Sequence, residues 1–161
     1  MSKRFFPRDD YFMRLALREA EGGLAHDDVP IGAVLVRAGE VVAAAHNERE
    51  LRQDPTAHAE IIALREAARA GDSWRLLDAT IYVTLEPCAM CAGAIYWAGI
   101  GRLVYGLSEH RLRAVTGNHP ENPTLDLPCR EVFRSGQRAI EVIGPLLEDE
   151  AEALHAGVWS K

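Results

Sequence analysis

The 161 residues make about one domain's worth of chain, long enough to bury roughly 70 % of the surface an unfolded chain of this size exposes. Apolar residues at 48 % and charged residues at 26 % exclude a disordered segment and a fibrous repeat. Eighteen Lys+Arg against 24 Asp+Glu leave a net charge of −6, so the chain lacks the overall basic field that usually accompanies nucleic-acid binding.

Residues 1–10 have a basic start with no apolar stretch behind it, so no secretory leader is expected. From Asp9 to Glu21, Tyr11, Phe12, Leu15, Ala16 and Ala20 recur at helical spacing, and Gly22-Gly23 stops the run. Ile31 to Val36 and Val41 to Ala45 are apolar runs joined through Gly39, which predicts a hairpin of buried strands. Asn47 to Asp54 reads as a polar connection. Pro55-Thr56 then opens a predicted helix through Ala70, with Ile61, Leu64 and Ala68 on one face.

Thr80 to Thr84 is rich in β-branched and aromatic residues and predicts a strand. Pro87 starts a helix ending near Gly99, inside a nearly apolar run from Cys88 to Gly101. Those fourteen residues are too few to span a bilayer, which takes about 20, so no membrane partner is expected. Leu103 to Tyr105 is a short strand, Leu107 to Leu127 a long loop, Pro128 to Phe133 a short helix, Ala139 to Ile143 a last strand, and Leu146 to His155 an acidic helix. Alternation of strands and helices after residue 55 predicts an α/β fold, with a sheet covered by helices on both faces and a parallel last crossover. One domain over residues 1–161 is expected, with three layers in the order α/β/α.

Three cysteines, two of them spaced Cys88-x-x-Cys91, suit a reduced cytoplasmic compartment and a metal or redox role better than a disulfide framework. Spacing of three puts both sulfurs on one helix face, and a first helical turn favours thiolates. His58 adds a third ligand. Three protein ligands and an open fourth position describe a catalytic zinc, whose bound water is acidified to a pKa of about 7. Hydroxide attack on an amino-substituted ring carbon also needs a proton carrier, and Glu60, two residues from His58, is the candidate.

His58-x-Glu60 followed by Pro87-Cys88-x-x-Cys91 matches the signature of zinc deaminases. The chain resembles the cytidine-deaminase superfamily over roughly residues 9–106, and within it the bacterial tRNA adenosine deaminases and the guanine and nucleoside deaminases. Val29-Pro-Ile-Gly-Ala-Val-Leu-Val36, Asp54-Pro-Thr-Ala-His-Ala-Glu-Ile61 and Thr84-Leu-Glu-Pro-Cys-Ala-Met-Cys-Ala-Gly-Ala94 carry the likeness. It implies a cytidine-deaminase-like fold, Zn2+ on His58, Cys88 and Cys91, proton shuttling by Glu60, and a base-binding role for Asn47. Ala59, Glu109 and His110 are further candidates for substrate contact. Cys129 reads as a packing residue. In a non-catalytic alternative it closes the zinc site, and the protein only binds. Tyr96 and Trp97 read as core or subunit contacts, with a homodimer expected, and Trp159 either caps the pocket or frays.

For the substrate, residues 107–161 hold six basic and nine acidic side chains. The tRNA-editing members typically carry a Lys-Thr-Gly-Ala-type segment and a basic C-terminal helix, where this chain has Leu107 to Asn118 and an acidic helix. Because phosphate contacts from Lys and Arg supply much of RNA affinity, the expectation is a small-molecule partner. A free nucleobase-like ring (guanine, isocytosine, cytosine or s-triazine) is favoured, with wobble-position adenosine in tRNA as the alternative.

Overall fold

The computed structural model describes residues 6–117, 119–120 and 123–159. Five strands form one mixed sheet in the order β2-β1-β3-β4-β5. Its strands are β1 (Gly32–Arg37), β2 (Glu40–His46), β3 (Ala79–Leu85), β4 (Arg102–Leu107) and β5 (Glu141–Ile143). β1 runs antiparallel to β2 and to β3, whereas β3, β4 and β5 are mutually parallel. The predicted hairpin and parallel last crossover are therefore both present.

Strand side chains point alternately to the two faces, and each face has its own core. Ala33, Leu35, Ile81, Val83 and Leu103 pack against helices α3 (Ala59–Ala70), α4 (Ala89–Ala98) and α6 (Cys129–Arg134). Val34, Val36, Tyr82 and Val104 pack against α1 (Asp9–Gly22), α5 (Glu109–Thr116) and α7 (Glu148–Ala153). Burial on both sides is why the central strands read as continuous apolar runs rather than alternating ones. The three-layer α/β/α architecture follows. α1 lies directly on β1: a Cβ at Gly32 would come within 2.1 Å of the Ala16 carbonyl oxygen, so only glycine fits there. Across the same face, buried Asp9 accepts bonds from Tyr82 (2.6 Å) and from both terminal nitrogens of Arg102 (2.9 and 2.7 Å), tying α1 to β3 and β4. Among the described residues no helix is long and apolar enough to cross a membrane.

Local differences from the sequence reading have identifiable causes. α3 starts at Ala59, not Pro55, because the Asp54 carboxylate takes both the N–H (2.8 Å) and the hydroxyl (2.7 Å) of Thr56 and holds residues 54–57 in a turn. The polar connection after β2 contains a one-turn helix, α2 (Arg49–Arg52). Buried Asp28 accepts the Glu50 and Leu51 N–H groups at 2.9 and 3.3 Å and so caps it. The stretch expected as a long loop holds α5, capped by Ser108, whose hydroxyl accepts the Arg111 N–H at 3.2 Å, and ended by left-handed Gly117. Asn118, Glu121 and Asn122 of that stretch lie outside the described residues, as does the start of the chain on which the leader reading rested.

Candidate active site

α3 and α4 lie on the same face of the sheet and begin beside each other. His58 is the residue capping α3 and Cys88 the one capping α4, with Cys91 in the first turn of α4. The backbone of both capping residues is extended, which turns their side chains back toward the helix starts. The nitrogen and two sulfurs all lie within 4.8 Å of one another. His58 Nδ1 stands 3.8 Å from Cys88 Sγ and 3.5 Å from Cys91 Sγ. A tetrahedral zinc with Zn–S of about 2.3 Å and Zn–N of about 2.0 Å sets a sulfur–nitrogen separation near 3.5 Å, so the three residues fit that ion.

The electrostatics agree with a cation site. The Cys91 thiol bonds to Cys88, and with His58 it holds Cys88 down to about 4 against the opposing effect of burial. Cys91 in turn is pushed well up, by that bond and by burial. His58 is raised, chiefly by its hydrogen bond to Cys88. One thiolate, one thiol and one imidazole thus share a proton pool that a divalent cation displaces.

Glu60 sits in the first turn of α3, 4 % exposed, with Oε1 lacking any partner. Burial pushes its carboxyl up. A buried carboxylate oxygen without a partner, beside a metal triad, is suited to picking up a proton from the cavity.

The cavity measures about 450 Å³, room for one nucleoside. His58, Glu60 and Cys88 line it, together with Asn47, Arg49, Glu86, Glu109 and His110. Leu125 to Pro128 and Trp159 complete the lining. Buried Asn47 accepts the Ala59 N–H at its Oδ1 (3.0 Å), fixing the loop after β2 to the start of α3. Of the residues named from the sequence, His58, Glu60, Cys88, Asn47, Glu109 and His110 line the cavity, and Cys91 adjoins it through the triad. Ala59 is not: it is fully buried, does not line the cavity, and gives its N–H to Asn47.

Cys129 also stays apart from the triad. It is buried, with its thiol 3.6 Å from Glu86 Oε2, and burial and that carboxylate push it up to about 12. Trp159 lines the cavity, and its indole N–H donates to His155 Nδ1 at 3.2 Å. Sequence reasoning missed Glu86 and Arg49. Glu86 stood in the Thr84-Leu-Glu-Pro-Cys segment, but nothing in the chain pointed to its partners.

Residues 7–107 match the sequence pattern of the cytidine and deoxycytidylate deaminase zinc-binding region. The chain belongs to this family. It is accordingly a zinc-dependent hydrolytic deaminase acting on a C–N bond, with Zn2+ as its cofactor. A tRNA-specific adenosine deaminase of Streptococcus pyogenes serotype M3 is 46 % identical over 159 residues, covering 88 % of this chain and 93 % of the relative. A solved structure from work on A-to-I editing by tRNA:A34 deaminases at the wobble position is 39 % identical. That match has a TM-score of 0.76 and covers 90 % of this chain and 99 % of the other. A guanine deaminase from Nitrosomonas europaea superposes with a TM-score of 0.81 at 26 % identity, over 99 % of this chain and 89 % of the other.

These likenesses overturn the expectation of a free nucleobase-like substrate and of a small-molecule partner. Identity is far higher to the tRNA enzyme than to the guanine deaminase, although the folds fit both. The charge count misled for a physical reason. Glu148, Asp149 and Glu152 are paired with Arg111, and Glu150 with Arg14, and none of these four acids lines the cavity. A total over the last third of the chain therefore says little about the cavity itself, which is lined by Arg49 and Arg113 together with Glu60, Glu86, Glu109 and Asp126.

Proposed function

We propose that the protein deaminates adenosine to inosine at the wobble position of a tRNA anticodon loop: adenosine plus water gives inosine plus ammonia. The observation that carries this reading is the 46 % identity over 159 residues with a tRNA-specific adenosine deaminase, joined to an intact triad beside a nucleoside-sized cavity.

In this reading His58, Cys88 and Cys91 hold the zinc. When bound, the ion would lower the pKa of a water on its open position to about 7. Glu60 takes the two protons of the attacking water in turn at Oε1, passing the first to the ring nitrogen and the second to the leaving amine. Asn47, whose Oδ1 is engaged by Ala59, offers its amide N–H2 to the base. Burial, followed by the neighbouring Glu86, raises Glu109 to about 7, so its carboxyl is available as both donor and acceptor near neutrality, and His110 stands beside it on the same wall. Val29, Leu125 and Leu127 give the lining an apolar side on which the ring can pack.

The reading extends to the whole chain, residues 1–161, as one deaminase domain working in the cytoplasm as a homodimer. Trp97 on the outer face of α4 is 74 % exposed, and Met90 and Trp74 are exposed too, apolar surface of the kind subunit contacts cover.

The test is turnover of an adenosine-containing anticodon stem-loop beside free adenosine, adenine, guanine and cytosine. Inosine should form in the hairpin, with kcat/KM falling steeply as salt rises, because each neutralised phosphate releases counterions. Turnover of a free base or nucleoside with an inert hairpin overturns the reading.

A further inference from the structure

Glu86 lines the cavity yet takes no part in metal binding or proton transfer. It follows β3 and directly precedes Pro87 and Cys88. Its own N–H donates to the Leu107 carbonyl at 2.8 Å, which extends the β3–β4 pairing up to the ligand loop. The side chain is 8 % exposed and faces the cavity. Oε1 accepts the Glu109 N–H at 3.2 Å and Oε2 lies 3.6 Å from the Cys129 sulfur. One carboxylate thus touches the first residue of α5 and the first residue of α6 while its backbone carries the loop that ends in Cys88.

Those contacts answer a definite need. The first N–H groups of a helix have no partners within it and must find acceptors elsewhere. At α5, Ser108 Oγ takes the Arg111 N–H at 3.2 Å and Glu148 Oε2 takes the Ser108 N–H at 3.0 Å. Glu86 takes the Glu109 N–H, and of the three acceptors it is the one joined to the metal-ligand loop. A carboxylate at a helix start also gains from the helix dipole. Cys88, Glu109 and His110 all line the cavity, and Glu86, two residues before Cys88 and bonded to the Glu109 N–H, joins them.

We propose that Glu86 is a positioning residue for the deamination: its Oε1, holding the Glu109 N–H, fixes the α5 wall against the Cys88 loop, so that its loss misplaces bound substrate without releasing the metal. Kinetic expression of this role rests on the tRNA reading, whereas its structural basis does not.

The experiment compares the zinc-loaded wild type with Glu86→Leu, similar in size and unable to accept, and Glu86→Gln, whose carbonyl oxygen can take the same N–H. Metal content, kcat and KM on the anticodon stem-loop, and amide exchange across residues 107–116 are measured for each. Glu86→Leu should keep about one zinc per chain. Its kcat/KM should fall about 10- to 100-fold, the scale of a displacement near 1 Å. Exchange at the Glu109 amide should quicken in parallel. Glu86→Gln should restore kcat/KM to within a few fold of wild type.

Wild-type kcat/KM in Glu86→Leu overturns the proposal, and so does a loss of activity that only tracks lost zinc. Equal failure of Glu86→Gln overturns the hydrogen-bond basis and the proposal with it. A wild-type protein inert on the stem-loop sinks the substrate reading instead; zinc content and the Glu109 exchange rate, together with kcat/KM on whichever substrate turns over, then decide the role of Glu86.

Discussion

Replacing Glu60 by Gln separates chemistry from folding, because the two should move in different directions. Glu60 is 4 % exposed and Oε1 has no partner, so its ionised form sits in a poor dielectric environment with an unmet acceptor. An unsatisfied buried acceptor costs about 1–3 kcal/mol, more when charged, and an isosteric neutral amide relieves part of that. Recovery of about 1 kcal/mol in a chain of this length corresponds to a rise in Tm of about 2–4 °C. Glu60→Gln should therefore melt at the wild-type temperature or slightly above it.

Loss of a group that moves protons in the transition state costs about 10²- to 10⁴-fold in rate, equivalent to about 3–5 kcal/mol of barrier. The assay is single-turnover inosine formation in an anticodon stem-loop, with thermal melting and metal analysis on the same preparations. Intact zinc, an unchanged or raised Tm and a rate down by two decades or more is the expected set. A rate within a few fold of wild type refutes the proton-carrier role. A lowered Tm accompanied by lost zinc shows instead that Glu60 holds the site together.

Cys88→Ala and Cys91→Ala should each lose the zinc that the wild type carries, and full occupancy of either variant by metal analysis would remove that cysteine from the ligand set. Asp9→Ala leaves buried Arg102 without its bidentate partner and should cost about 3–5 kcal/mol in denaturant unfolding, with Asp9→Ala/Arg102→Met recovering part of the loss. His155, 2 % exposed, is lowered by burial from 6.5 to about 4, so the unfolded chain takes up a proton there before the folded one. Its contribution is intact above pH 6.5 and lost as pH falls toward 4, about 3 kcal/mol over that window, and His155→Phe should flatten this limb in denaturation curves at stepped pH.

The metal triad was legible because its chemistry is local. Cys88 and Cys91 share one turn, Pro87 marks a helix start, and His58 precedes an amphipathic run, so residue type and spacing carried most of the information. Strands β1, β3 and β4 were legible because burial on both faces writes itself as apolar runs. What stayed hidden depends on partners distant in sequence. Asp9 meets Arg102 across 93 positions and Glu86 meets Cys129 across 43, and neither acid carries a mark of that pairing in its own neighbourhood. α5 was misread for a different reason. Its pattern holds one buried apolar residue, Leu112, so periodicity is weak, while the signals that define it, Ser108 and Gly117, are capping signals. Substrate class rested on a charge total, which does not record where charges lie: the α7 acids Glu148, Asp149, Glu150 and Glu152 all sit outside the cavity lining.

The arrangement of α3 and α4 explains why so short a signature can carry a reaction. Both helices cover one face of the sheet, and their starts meet where His58 caps one and Cys88 the other. Each helix start presents unpaired N–H groups and a partial positive charge, worth about 0.3–1 kcal/mol to a nearby anion. That favours the Cys88 thiolate, which is held down to about 4 chiefly by the Cys91 thiol. Glu60 stands in the same kind of first turn yet is pushed the other way, because burial outweighs the helix dipole for a carboxyl with an unmet oxygen. Two acidic groups on adjacent helix starts are thus driven apart in proton affinity by burial and hydrogen bonding. The sulfur is left ready to bind a cation and the carboxyl ready to hold a proton, which is the division of labour that hydrolysis at an amino-substituted ring requires.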